Sequence, residues 1–247
     1  MSYQTDSEEL SENIETVSSP ETLSIWGLAW PSILANILFA AAGVVSIKAV
    51  GILGTEAVAA VGTGQRILFV IQSIIMAVST GTAALVARAF GSANYKEAAQ
   101  VLLDSLWIGV ILSILAAASM WLYGESIISF FGLDPESKKL AVIYIKYTML
   151  FSAAFSSSFI FSSALRAAGD AKTPLAIMIF QNLLNIYLLI GLVNGQFGFP
   201  EMGVVGASYA WGISFTVGTA IYVIMWLSNM TVIPLPSLKN IIYDRLR

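Results

Sequence analysis

Long apolar blocks alternate with short clusters of Gly, Pro, Asn and charged residues along most of this chain. The blocks predict helices over residues 23–50, 56–89, 95–123, 140–167, 174–194 and 204–228. Each holds the roughly 20 residues that a helix needs to cross a hydrocarbon core. The junctions carry turn chemistry: Gly51 and Gly54, residues 91–94, Gly132 with Pro135, residues 169–174 and residues 195–203. Short connections favour neighbouring antiparallel helices, so the pattern predicts an all-α polytopic membrane protein, a six-transmembrane-helix bundle spanning residues 22–228. Residues 125–133 are apolar but too short to span and are expected to lie flat at the interface. Residues 1–21 are acidic and poor in apolar side chains, too little to offset chain entropy, and are expected to be a disordered tail. They lack the basic start of a cleaved signal peptide, which keeps the first span in the mature protein. Residues 229–247 read as a cytoplasmic connector.

Composition sharpens this picture. Of 247 residues 57% are hydrophobic and 11% charged, with mean hydropathy +0.80, whereas soluble domains carry about 25% charged residues. So few charges cannot cover a water-soluble globule, and lipid is the expected solvent. The chain contains no Cys and no His, which removes disulfides, thiol nucleophiles, Cys or His metal sites and histidine acid–base chemistry. The expectation is a non-enzyme with no cofactor, no metal and no nucleic-acid partner. The net charge of −3 carries little information, because six of the fifteen acids fall in the first 21 positions.

Lys and Arg in short loops report orientation. With the N-terminus inside, Arg88, Lys96, Arg166, Lys172, Lys239, Arg245 and Arg247 are cytoplasmic, and only Lys138 and Lys139 are outside. Both termini are then expected in the cytoplasm, with the protein multi-pass in the plasma or inner membrane.

Polar groups inside spans should face other helices or a wet cavity. In the second span Gln65, Gln72 and Ser79 recur every seven residues, and Arg66, Ser73 and Thr80 repeat the spacing. At roughly 100° per residue all six fall on one side. The fourth span adds Tyr144, Tyr147, Thr148 and a run of serines, and the fifth adds Gln181, Asn182 and Asn185. The serines read first as small groups that let helices approach closely. Gln72 and Asn185 are large amides at depth and read as cavity-lining, with Asn36 of the first span as a further candidate. Arg66 faces either a neighbouring helix or the cavity. Lys48 can snorkel to the outer interface, and Asp104 reads as pairing near the cytoplasmic rim.

Four local patterns together resemble the N-terminal lobe of multidrug and toxic compound extrusion (MATE) transporters. They are Gly51-Ile-Leu-Gly54-Thr-Glu-Ala-Val-Ala-Ala-Val-Gly62, Gly81-Thr-Ala-Ala-Leu-Val-Ala-Arg88-Ala-Phe-Gly91, Leu165-Arg-Ala-Ala-Gly169-Asp170-Ala-Lys-Thr173-Pro174, and Asn182-Leu-Leu-Asn185 followed by Gly198-Phe-Pro200-Glu-Met-Gly203. Each is weak alone, but they come in family order at matching points of the span map. The resemblance implies a 12-helix fold of two six-helix lobes that exports cationic or amphipathic drugs in exchange for H⁺ or Na⁺. It implies that Pro31 marks a bend in the first helix, that Asn185 and either Tyr147 or Tyr144 line the substrate cavity, and that Asp170 and Pro174 belong to a structural loop. It also implies a partner, a second lobe or a second copy of the chain. Three positions depart from the family. Ser46 and Leu189 stand where many members carry carboxylates, and Trp211 stands for a common threonine. Both acids expected to bind the coupling proton are therefore missing. The rival expectations are a lipid-linked oligosaccharide flippase of the same superfamily, or a truncated, non-transporting membrane protein or assembly partner.

Overall fold

The computed structural model describes residues 25–235. These form helices α1 (Ile25–Gly51), α2 (Thr55–Gly91), α3 (Tyr95–Ser129), α4 (Pro135–Met149), α5 (Ser152–Ala167), α6 (Lys172–Asn194) and α7 (Gly203–Leu227). The expected acidic tail and most of the connector lie outside the described residues. Helices α2, α3, α6 and α7 are each long and apolar enough to cross a membrane, and α4 with α5 make a fifth span bent by 54°. The first expected span corresponds to α1, whose assigned helix continues across Pro31 and whose stretch Asn36–Gly51 is apolar.

Local chemistry sets several helix ends. Gly54 takes φ 107° in the tight turn before α2, a conformation that costs a glycine little. Asn94 opens α3: its side chain accepts from the Glu97 N–H at 3.3 Å and donates to the Glu97 carboxylate at 2.8 Å, satisfying an otherwise orphaned amide. Gly195, left-handed at φ 67°, ends α6. Asp134 caps α4, accepting from the Ser137 N–H at 3.0 Å, with Pro135 in the first turn, where no amide donor is needed.

The Ser137 side chain and N–H together hold the Asp134 carboxyl below its ordinary 3.8. The N–H bond is well aligned, whereas the hydroxyl lies close without full hydrogen-bond geometry. Because this pKa is lowered by folding, the cap is fully present above pH 3.8 and is lost as pH falls through the lowered value. Asp134→Asn keeps the acceptor and removes the titrating group, so the acid-side weakening of this helix start should vanish in that variant. Thermal unfolding followed from pH 6 to pH 3 checks this, and an unchanged acid limb would refute it.

Two expectations change. Residues 125–133 do not form a separate interfacial segment: α3 continues unbroken to Ser129, and only a turn follows. No proline interrupts it, its two glycines Gly109 and Gly124 stay within the helix, and Ile128 is fully buried in the bundle. The fourth span, expected as one helix over 140–167, starts earlier at Pro135 and breaks after Met149. The hydroxyls at the break compete with the helical ladder. Thr148 Oγ1 donates to the Tyr144 carbonyl at 2.7 Å and Ser152 Oγ to the Met149 carbonyl at 2.7 Å. Ser113 and Ser152 each donate to the other's carbonyl at 3.2 Å, tying α3 to the break. Back-bonding of this kind bends helices.

The buried apolar side chains fall into two clusters at opposite ends of the helices. One includes Val50, Val61, Ile145, Val193 and Val204, and the other Val86, Leu102, Phe161 and Tyr222. Between them along the helices lie buried polar residues: Ser113, Ser152, Ser156, Ser158, Gln181 and Ser214. This polar waist is where the bundle opens.

Candidate functional site

A cavity of about 640 Å³ opens among α1, α2, α4, α5, α6 and α7, and α3 contributes nothing to its lining. Gln65, Arg66 and Gln72 reach it from α2, Tyr144 from α4, Gln181, Asn182 and Asn185 from α6. Spacings of three, four and seven residues put these groups on single helix faces. The predicted stripe of six on α2 divides, however. Ser73 and Thr80 are exposed and donate to their own helix at Val70 and Met76, and Ser79 is buried with its carbonyl accepting from Ser163 at 3.1 Å.

The amides differ in how far they are satisfied. Gln181 is buried and donates to Ser158 Oγ at 3.0 Å, packed against Gly218. Asn182 donates to the Met178 carbonyl at 2.8 Å. Gln72 and Asn185 are half-buried, face the cavity, and make no hydrogen bond to another described residue. Being half-buried on the cavity wall, both amides are open to hydrogen bonds from water or a ligand.

Of the two tyrosines, Tyr144 lines the cavity, with its ring against Gly64 and its hydroxyl by Gln65. Tyr147 does not: three residues on, it turns toward α7 and packs on Tyr209 with ring centroids 5.7 Å apart. Asn36 is exposed on α1 and lies outside the lining, which on that helix runs from Ala42 to Ile47. Asp170 Oδ1 accepts from the N–H groups of Lys172 and Thr173 at 3.2 and 3.0 Å, opening α6, and Pro174 follows at a position that needs no donor. Ser46 and Leu189, where the resemblance implied carboxylates, both face the cavity. Asp104 does not.

Two features escaped sequence reasoning. The first is an aromatic wall: Phe155 stacks on Trp211 with centroids 5.2 Å apart and meets Phe215 edge-on at 5.0 Å. The second is Arg166, counted only as a loop cation, which stands in the last turn of α5 and lines the cavity. The spacing Phe155, Ser158, Ser162, Arg166 lays one face along α5, and that periodicity could have found it.

The bundle is thus multi-span and bent, with an open cavity of amides and aromatics among its membrane-length helices. The MatE family model matches residues 31–190, and the chain belongs to that family. It is 33% identical over 194 residues to the probable multidrug resistance protein NorM of Thermotoga maritima, covering 78% of this chain and 42% of that protein. It is 30% identical over 201 residues to the probable multidrug resistance protein YoeA of Bacillus subtilis, covering 80% and 42%. The chain thus spans less than half the length of these relatives. The fold matches a solved outward-facing multidrug resistance MATE family transporter of the MOP superfamily with TM-score 0.79 at 24% identity, over 86% of this chain and 46% of that one. The chain is accordingly a multi-pass membrane protein of a transporter family and not an enzyme.

Proposed function

We propose that this chain forms one lobe of a secondary antiporter that exports amphipathic drugs or other xenobiotics in exchange for H⁺ or Na⁺. The observation that carries the reading is the pair of amides without a partner among the described residues, Gln72 and Asn185, facing a cavity that also bears the Phe155, Trp211 and Phe215 wall. An aromatic body can lie on the wall while its polar group meets the amides. Transporters of this kind bind near mid-membrane between repeats and rock one against the other. The facing wall is a second six-helix lobe or a second copy of the chain. Cation counts support both termini in the cytoplasm of a cell membrane. The multidrug relatives support this over a lipid-linked oligosaccharide flippase.

Asn185→Leu tests the reading. Removing one cavity hydrogen bond costs about 0.5 to 1.5 kcal/mol, so a neutral aromatic ligand should bind several-fold more weakly while membrane yield stays the same. Equilibrium binding to the purified chain in lipid nanodiscs measures this. Unchanged affinity would return Asn185 to a packing role.

A further inference from the structure

The charge of the lining is an observation separate from its shape. Two guanidiniums reach the cavity, Arg66 from α2 and Arg166 from α5, and no Asp or Glu stands among the described residues that line it. Neither guanidinium makes an ion pair or a hydrogen bond to another described residue. The acid four residues beyond Arg166, Asp170, shares with it an influence on the Tyr222 hydroxyl. Its Oδ1, however, is engaged by the backbone of α6, and it lies outside the lining.

The two charges stand at different depths. Gly64 faces Tyr144, and Ser163 bonds to the Ser79 carbonyl, so α2 and the bent span run side by side in the same direction. Arg66 follows Gly64 by two residues, and Arg166 follows Ser163 by three. Their Cα atoms are then separated by about sixteen residues of helix, roughly 24 Å at 1.5 Å per residue. Phe155 falls between those levels, with Trp211 and Phe215 against it. An aromatic wall thus lies between two cations that have no ion pair among the described residues.

Resting on the reading of this cavity as the substrate site, we infer that the lobe selects amphipathic organic anions: an aromatic body carrying a carboxylate, sulfonate or phosphate. Arg presents a planar fork of donors that matches such oxyanions and tolerates partial burial. Walls of aromatic and aliphatic side chains within lipid screen charge poorly, so complementarity and repulsion are both stronger than in water. An organic cation in the same cavity meets two like charges and no acid among the described lining residues.

Three ligands of one shape test this on the purified full chain in phosphatidylcholine nanodiscs: 2-naphthalenesulfonate, 2-naphthalenemethanol and 2-naphthylmethylammonium, each corrected for partition into empty discs. The sulfonate should bind at least tenfold more tightly than the ammonium. One sulfonate can meet only one guanidinium at a time, so at least one of Arg66→Gln and Arg166→Gln should lower the ratio of sulfonate to alcohol affinity several-fold, and lysine at the responsive position should keep most of it. Ammonium binding as tight as sulfonate binding would overturn the inference. So would an unchanged ratio in a double glutamine variant that remains monodisperse. If the alcohol binds saturably without charge discrimination, only the anion preference fails. If none of the three binds saturably, the cavity is not a substrate site and the proposed function fails with it.

Discussion

Gly206→Ala should disrupt the bundle, whereas Gly81→Ala should leave it intact. A Cβ on Gly206 would strike the Leu192 carbonyl, lying 2.6 Å from its carbon and 3.0 Å from the Val193 nitrogen. These are backbone atoms, and no rotamer change can relieve the contact. The Leu192 carbonyl is also held from the other side, because it accepts from the Met202 N–H at 2.8 Å in the loop that joins α6 to α7. In lipid, helices associate through close packing and hydrogen bonds rather than through a hydrophobic drive, so separating this pair removes the main attraction between them. The cost should reach the upper end of the overpacking range, about 3 kcal/mol. For a chain of this size that lowers the unfolding midpoint by roughly 6 to 12 °C. A Cβ on Gly81 meets nothing within 4 Å, and alanine there should be neutral or slightly stabilising. Thermal unfolding and monodispersity in detergent report both variants, and equal midpoints would show that the α6–α7 approach is looser than the structure has it.

A verified monomer of this chain should carry out no ion-driven transport. Alternating access needs two walls that close around the substrate from opposite sides, and one lobe supplies one wall. Coupling has the same gap. A buried carboxyl whose pKa is raised by desolvation can exchange a proton near neutral pH, yet Ser46 and Leu189 face the cavity at the two positions where the sequence resemblance implied such acids. Proteoliposomes holding single chains should show uptake no different from protein-free vesicles under a pH or Na⁺ gradient. Reconstitution with a facing lobe, or as a dimer, should restore it, and neutralising carboxylates in that second wall should abolish it again. Ion-driven uptake by single chains would refute the half-transporter reading.

How much of this was legible in the sequence depends on the range of the interaction involved. Asn94, Asp134 and Gly195 mark helix ends because capping and turn conformations act within a few residues, and the junctions at Gly51, Gly132 and Gly195 were readable for that reason. Gln65, Arg66, Gln72 and Asn185 share the cavity, since spacings of three, four and seven residues already place groups on a common face. The bend after Met149 was hidden in a serine-rich run that reads equally well as packing. It arises where Ser113 of another helix meets Ser152.

The sequence by itself determined that the chain is helical, apolar and multi-span, that its junctions fall at particular Gly, Asn and Pro residues, and which amides lie at depth. Apolar periodicity, span length and capping all act along one stretch of chain. Only the tertiary structure decided that Tyr144 rather than Tyr147 enters the cavity, that Ser73 and Thr80 leave the polar stripe, and that Arg166 joins Arg66 on an acid-free lining. The physical reason is rotational. A helix carries every face at once, and which face meets a cavity, a neighbour or lipid is set by close approaches such as Gly64 to Tyr144 and Gly206 to Leu192, between residues far apart in the chain.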